Sequence, residues 1–153
     1  MKKLLLTLLL LASVTARAEL TWLTDLDEAK KVATKENKKL LVDFTGSDWC
    51  GYCIKLHKEV FDTEDFAKFA KDYVLVELDF PKRKEQPAAE KAKNQAAQKK
   101  FGVNGFPTVI ILTAGGKVLN RAEGYSPDSG PDAYLPMLGA TVKKVKAPAP
   151  SKK

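Results

Sequence analysis

The chain holds two cysteines, Cys50 and Cys53, both within the stretch WCGYC, residues 49–53. A pair at this spacing serves one of three chemistries: a redox dithiol, half of a metal site, or a structural disulfide. A bond closing so small a ring constrains the unfolded chain little, so stapling is a weak reason for the pair. A structural metal site wants four ligands. The single histidine, His57, falls near the same helix face at i, i+3, i+7, and a fourth ligand is not obvious. Neighbouring positions on one helix also make a poor tetrahedral cage. Redox chemistry leads, with metal binding as the alternative. If Cys50 starts a helix, unpaired N–H groups and the helix dipole favour a thiolate there and make it the nucleophile. Cys53, one turn on and deeper, would be the resolving thiol. Gly51 keeps the turn between them unobstructed.

These residues need elements to hold them. KLLVDF, residues 39–44, is a nearly continuous apolar run, as in a strand buried on both faces. Its one acid, Asp43, is expensive to bury unless paired or protonated, and otherwise faces water at the strand end. Before it, Thr24 to Asn37 reads as a surface helix with Leu26, Ala29 and Ala33 at helical spacing. After it, residues 45–48 form a loop in which Asp48 reads as a solvated acid. A helix begins near Cys50, with Ile54, Leu56 and Val60 as core contacts. A short helix capped at Asp62-Thr63 follows, with Phe66, Phe69 and Ala70 on one face. YVLVELDF, residues 73–80, is the second strand. Ala88 to Lys100 reads as a surface helix with only alanines and Phe101 for the core. Phe106 to Leu112 and Lys117 to Gly124 read as a hairpin around Ala114-Gly115-Gly116. A last helix runs from after Pro131 to about Val145, with Pro136 in its first turns. The order predicts a mixed sheet of four to five strands with helices on both faces, an α/β fold.

WCGYC after a buried strand, then KFGVNGFPTVIIL and a glycine turn, resembles the thioredoxin superfamily, from about Trp22 to Val145. GSDWCGYCIKLHKEVFDTEDF is similar to the exported thioredoxin-like proteins and to the reducing C-terminal domain of the membrane thiol transporter. The resemblance implies a cis bond at Phe106-Pro107, so that the Phe106 backbone faces the dithiol and pairs with an extended substrate. It implies that Asp43 sits behind Cys53 with a raised pKa and takes its proton during resolution. Two departures stand out. The loop from Asp43 to Cys50 is one residue longer than in thioredoxin. The lysine that neighbours this acid in the family has no clear counterpart, Leu75 or Val76 standing there. The helix-kinking proline after the motif is also missing, which predicts a straighter helix. Trp49 and Tyr52 flank the cysteines as an apolar rim for substrate. Gly51-Tyr52 is the pair found in the periplasmic disulfide isomerase, and nothing adds a special thiolate partner, so a reductase or isomerase is expected over a strong oxidant.

The bulk numbers agree with one soluble domain: 153 residues, 44% hydrophobic and 29% charged. The net charge of +7 comes with no basic stripe interleaved with aromatics, which speaks against nucleic-acid binding. Residues 1–18 read as a cleaved signal peptide: a Met1-Lys2-Lys3 start, an apolar run from Leu4 to Val14, and a small-x-small end at Ala16-Arg17-Ala18. Residues 19–146 would be the domain and 147–153 a disordered Lys/Pro tail. The expected protein is a periplasmic or secreted thiol–disulfide oxidoreductase, monomeric, with no cofactor beyond its cysteines. Its partners would be thiol or disulfide proteins. With no third cysteine, its electrons would come from another protein, a membrane thiol donor.

Overall fold

The computed structural model describes residues 20–139. The stretch read as a signal peptide, the Lys/Pro tail and the expected end of the last helix near Val145 lie outside the described residues. Five strands form one sheet in the order β1-β3-β2-β4-β5. They are β1 (Trp22–Leu23), β2 (Lys39–Thr45), β3 (Tyr73–Asp79), β4 (Thr108–Leu112) and β5 (Val118–Glu123). β3 runs parallel to both β1 and β2, whereas β4 is antiparallel to β2 and β5. The two-residue strand β1 was not expected. Too short for any periodicity of its own, it exists through its pairing with Leu75 and Val76.

The period of two along β2 sorts its side chains between two cores. Leu40, Val42 and Phe44 join Ala29 and Ala33 of α1 (Leu26–Glu36) and Ala97 of α4 (Ala88–Lys100) on one face. Leu41 joins the opposite core. That core is built by α2 (Gly51–Leu56), α3 (Glu64–Phe69) and α5 (Gly130–Gly139) through Leu56, Phe66, Tyr134 and Leu138. Asp43 is two residues on from Leu41 and therefore points into this second layer. On β3 the same alternation puts Leu75 there, and Glu77 follows it.

Local chemistry sets the helix ends. Asp25, not Thr24, caps α1 by accepting the N–H groups of Asp27 and Glu28, and Asn37 closes it in the left-handed region at φ 52°. Pro136 lies inside α5, within its first two turns as expected. α4 is the expected surface helix, with Ala97 turned to the core, and one feature is added: Asn94 is buried, and its amide donates to Asp79 O at 2.9 Å, tying the helix to the end of β3. The helix after the cysteines stays unbroken, as a run without proline should, but it changes winding. α2 passes into a π-helical turn over His57–Phe61. Under that turn Phe61 meets Trp22 at 5.2 Å, His57 at 4.9 Å and Phe66 at 4.6 Å between ring centroids.

Phe61 is 2% exposed and joins β1, the π turn and α3. Phe61→Ala should cost about 3–5 kcal/mol of stability, read as a lower urea midpoint. A loss under about 1 kcal/mol would mean that the layer collapses onto the gap.

Candidate functional site

Cys50 is the N-cap of α2, with extended backbone at φ −85°, ψ 100°. Its N–H is anchored to Gly46 O at 2.8 Å, and its sulfur accepts the Cys53 N–H at 3.2 Å. The two cysteines are joined in a disulfide, their Cα atoms 5.2 Å apart. Cys53 is the deeper of the two, 1% exposed against 6% for Cys50. Tyr52 and Ile54 stand out beside them, 58% and 49% exposed, and Gly51 is exposed at the helix start.

Trp49 is held from several sides. Its indole N–H donates to Phe80 O at 2.8 Å, Phe106 meets its ring edge-on at 6.0 Å, and the Lys82 ammonium lies 3.5 Å over it. Gly46 leaves room for this ring: a Cβ there would stand 2.5 Å from Trp49 Cε2. The sequence marked Trp49 as part of a substrate rim; the structure makes it first a link from the cysteine loop to the Phe106 loop. Asp48 is likewise more than a solvated acid. Its carboxylate accepts the backbone N–H groups of Lys82, Arg83 and Lys84 at 2.7–3.0 Å. These contacts hold its pKa below the ordinary range.

The Phe106–Pro107 bond is cis. The turn before it is closed by the Thr108 hydroxyl donating to Gly105 O at 2.8 Å, and Pro107 O accepts the N–H of Gly124 at 2.8 Å. β4 begins at Thr108 and not at Phe106, since Pro107 has no N–H to give to the ladder.

Three titratable groups converge where the helix after Cys53 meets the sheet. Asp43 is fully buried, so the alternative of a water-facing acid is excluded. Its Oδ2 lies 3.3 Å from His57 Nε2, while Oδ1 has no hydrogen-bond partner among the described residues. The same nitrogen lies 3.2 Å from Glu77 Oε2. Glu77 is the residue that sequence reasoning missed. The register pairs Leu41 with Leu75, Val42 with Val76, and Asp43 with Glu77. The position beside Asp43 therefore carries a carboxylate, not Leu75 or Val76. Alternation along β3 could have placed Glu77 on this face, but not opposite Asp43. His57, Glu77 and Cys53 together border a cleft of 380 Å³.

Burial raises the Asp43 pKa above 3.8, against the pull of the His57 contact. Burial alone would lower His57, but its contacts with Asp43 and then Glu77 hold it up to about 10. Both shifts describe one fact: the cluster keeps its protons to higher pH than its separate groups would. Asp43, His57 and Glu77 also offer one ligand atom each within 4.8 Å of one another. A cation there would have to displace the proton that both carboxylates favour on His57. His57 is engaged with the two carboxylates, away from the role of third ligand to Cys50 and Cys53.

A family model described as thioredoxin-like domain matches residues 26–138. The chain belongs to the thioredoxin-like family. It is 35% identical over 129 residues to the disulfide bond reductase DsbH of Chlamydia pneumoniae, covering 84% of this chain and 76% of that protein. It is 32% identical over 112 residues to the thioredoxin-related protein DsbJ of the same organism, covering 72% of this chain and 32% of DsbJ. Among solved structures, DsbH oxidoreductase superposes with a TM-score of 0.70 at 34% identity, covering 77% of this chain and 81% of that one. As a thioredoxin-like thiol–disulfide oxidoreductase, the protein carries its redox group in its own cysteine pair and uses no separate cofactor.

Two substitutions check this geometry. Gly46→Ala should displace the Trp49 ring, cost about 1–3 kcal/mol, and shift the tryptophan emission; an unchanged spectrum would show that the ring is not held there. Asp43→Asn tests the proton cluster. Asp43 and His57 both have raised native pKa values, so both favour folding at low pH. The His57 contribution is fully present below its ordinary 6.5 and is lost as pH rises toward 10. The buried Asp43 carboxyl costs stability as pH climbs above 3.8. Urea unfolding of the oxidised protein should therefore show stability falling from about pH 5 to about pH 8. Asp43→Asn should flatten that fall, and an unchanged slope would remove Asp43 from the titrating set.

Proposed function

We propose that this protein is an exported reductase of protein disulfides in which Cys50 attacks and Cys53 resolves. The observation that carries this reading is the place of Cys50: at a helix N-cap, more open than Cys53, with the Cys53 amide on its sulfur. An N–H donor and the helix terminus favour the thiolate, which is the attacking species. Cys50 bonds to one sulfur of the substrate disulfide, and the other leaves as a thiolate and takes up a proton. Cys53 then gives its proton to Asp43, attacks Cys50, and releases the second substrate sulfur. The dithiol ends oxidised and the substrate ends as two thiols.

Substrate would lie along the groove between the motif and the cis-proline loop. There the Phe106 backbone ahead of Pro107 would pair with an extended segment, as strands pair at an open edge. Tyr52 and Gly51 would give it an open apolar floor, with Trp49 as the wall. The similarity to a protein named as a disulfide bond reductase supports the reducing direction. The signal-like pattern of residues 1–18 supports export to the periplasm or beyond. A reductase there needs electrons from another protein, and a membrane thiol donor fits that need.

The protein should speed insulin reduction by dithiothreitol, and Cys50→Ser should abolish that activity. Inert wild-type protein carrying a stoichiometric metal would instead mark a metal-holding module. The pair's reduction potential should lie nearer thioredoxin's, about −270 mV, than the strong oxidant's, about −120 mV. A pair found permanently oxidised in cells would end the reductase reading.

A further inference from the structure

Each turnover asks the buried Asp43 to take a proton from Cys53. A group sealed from water must hand that proton on before it can act again. The polar contacts of Asp43 lead one way. Its Oδ2 meets His57 Nε2, and Nε2 meets Glu77 Oε2. The side chains step outward along this line, 1% exposed at Asp43, 29% at His57 and 28% at Glu77. His57 and Glu77 open on the cleft that Cys53 also borders.

We propose that His57 is a positioning residue for the resolving step and, with Glu77, the exit for the proton that Asp43 receives. The proposal rests on the role given to Asp43 above. The step balances as follows. The Cys53 S–H proton moves to Asp43, and the Cys53–Cys50 bond forms as the Cys50–substrate bond breaks. The electron pair leaves on the substrate sulfur. Nε2–H is then given to Glu77 and on to cleft water, and Nε2 takes the proton from Asp43. Both transfers use one ring nitrogen, which is why two carboxylates facing the same atom matter.

The placement of His57 follows from the chain. It stands four residues after Cys53, one helical turn on and on the same side. The π turn begins at His57 and seats its ring between Phe61 at 4.9 Å and Trp22 at 5.7 Å. An imidazole clamped by aromatics keeps its nitrogen aimed at the two acids. The charged and titratable groups around the pair are Cys53 and Lys58 on its own helix and Asp62 at that helix end. Glu77 faces it from β3, Asp79 of the same strand acts on Asp43, and the Asp43 charge in turn reaches Tyr134 of α5. Of these, Glu77 meets the same imidazole atom as Asp43.

The two partners should act on Asp43 with opposite sign. The imidazolium favours the Asp43 carboxylate, whereas Glu77 repels it and competes for Nε2. The reduced protein is mixed with 5,5′-dithiobis(2-nitrobenzoate) by stopped flow. The first thionitrobenzoate released reports attack by Cys50, the second resolution by Cys53. His57→Gln should move the pH midpoint of the second phase up and slow it about tenfold at pH 7. Glu77→Gln should move the midpoint down. The first phase should change less than about twofold in both. Imidazole added to His57→Ala should restore the second phase, and should not do so when Asp43 is also changed to Asn. This rescue reads the role even if the glutamine variant is poorly folded. Midpoints that move the same way, or no rescue, overturn the proposal while the role of Asp43 stands. A second phase indifferent to Asp43→Asn overturns both.

Discussion

A buried carboxyl group, held against the helix that continues from Cys53, is the constraint around which the rest of this structure is arranged. Asp43 has lost its water, and one of its oxygens has no partner among the described residues. Such a group is tolerated only with a proton or a positive neighbour. The neighbour here is His57, and the requirement reaches far. The imidazole must come from the helix that carries Cys53, it must tilt toward the sheet, and it must be shielded. The π turn supplies the tilt, Phe61 and Phe66 fill the space under it, and the short strand β1 brings Trp22 to close the side. Glu77 then balances the imidazolium from the neighbouring strand. Replacing this cluster with apolar side chains would make a more stable core, so its presence speaks for chemistry over stability.

The dithiol is held from above by a second, independent set of contacts. Trp49 ties the cysteine loop to the end of β3 through Phe80 and to the cis-proline loop through Phe106. Asp48 gathers three amides of the 82–84 turn, and Ser47 is fixed by Asp79. Loops hold groups less precisely than helices or strands. Here the two loops on either side of the sulfurs are bound to each other and to β3. The sulfurs therefore sit between a rigid wall and a buried proton store, open on the side of Tyr52 and Ile54.

What could be read from the sequence was whatever a short window contains. The apolar run around Asp43, the CxxC spacing and the Gly-Phe-Pro-Thr segment are local signals, and each stands where it was expected. What escaped depends on register and on neighbours distant in sequence. Trp22-Leu23 is a strand because β3 is beside it, and Asn94 is buried because the end of β3 offers it a carbonyl. Glu77 is a partner of Asp43 only in a register that no pattern of either strand dictates. The π turn has no sequence signature in HKEVF; it follows from packing His57 and Phe61 against Trp22.

The charge of the buried cluster also bears on the direction of electron flow. A strong oxidant stabilises its reduced form by gathering donors and positive charge around the thiolate. Here Cys50 has the amide of Cys53 and a helix terminus. His57 and Glu77 border the cleft that Cys53 also lines, Asp43 meets the same imidazole, and Asp79 is near enough to act on Asp43. With both carboxylates ionised, one imidazolium leaves that set negative. Negative charge near a dithiol raises thiol pKa values and removes the stabilisation of the thiolate on which an oxidant depends. A dithiol so placed gives up its electrons more readily. Acidic groups so placed favour the oxidised pair as product, the direction in which a reductase must run.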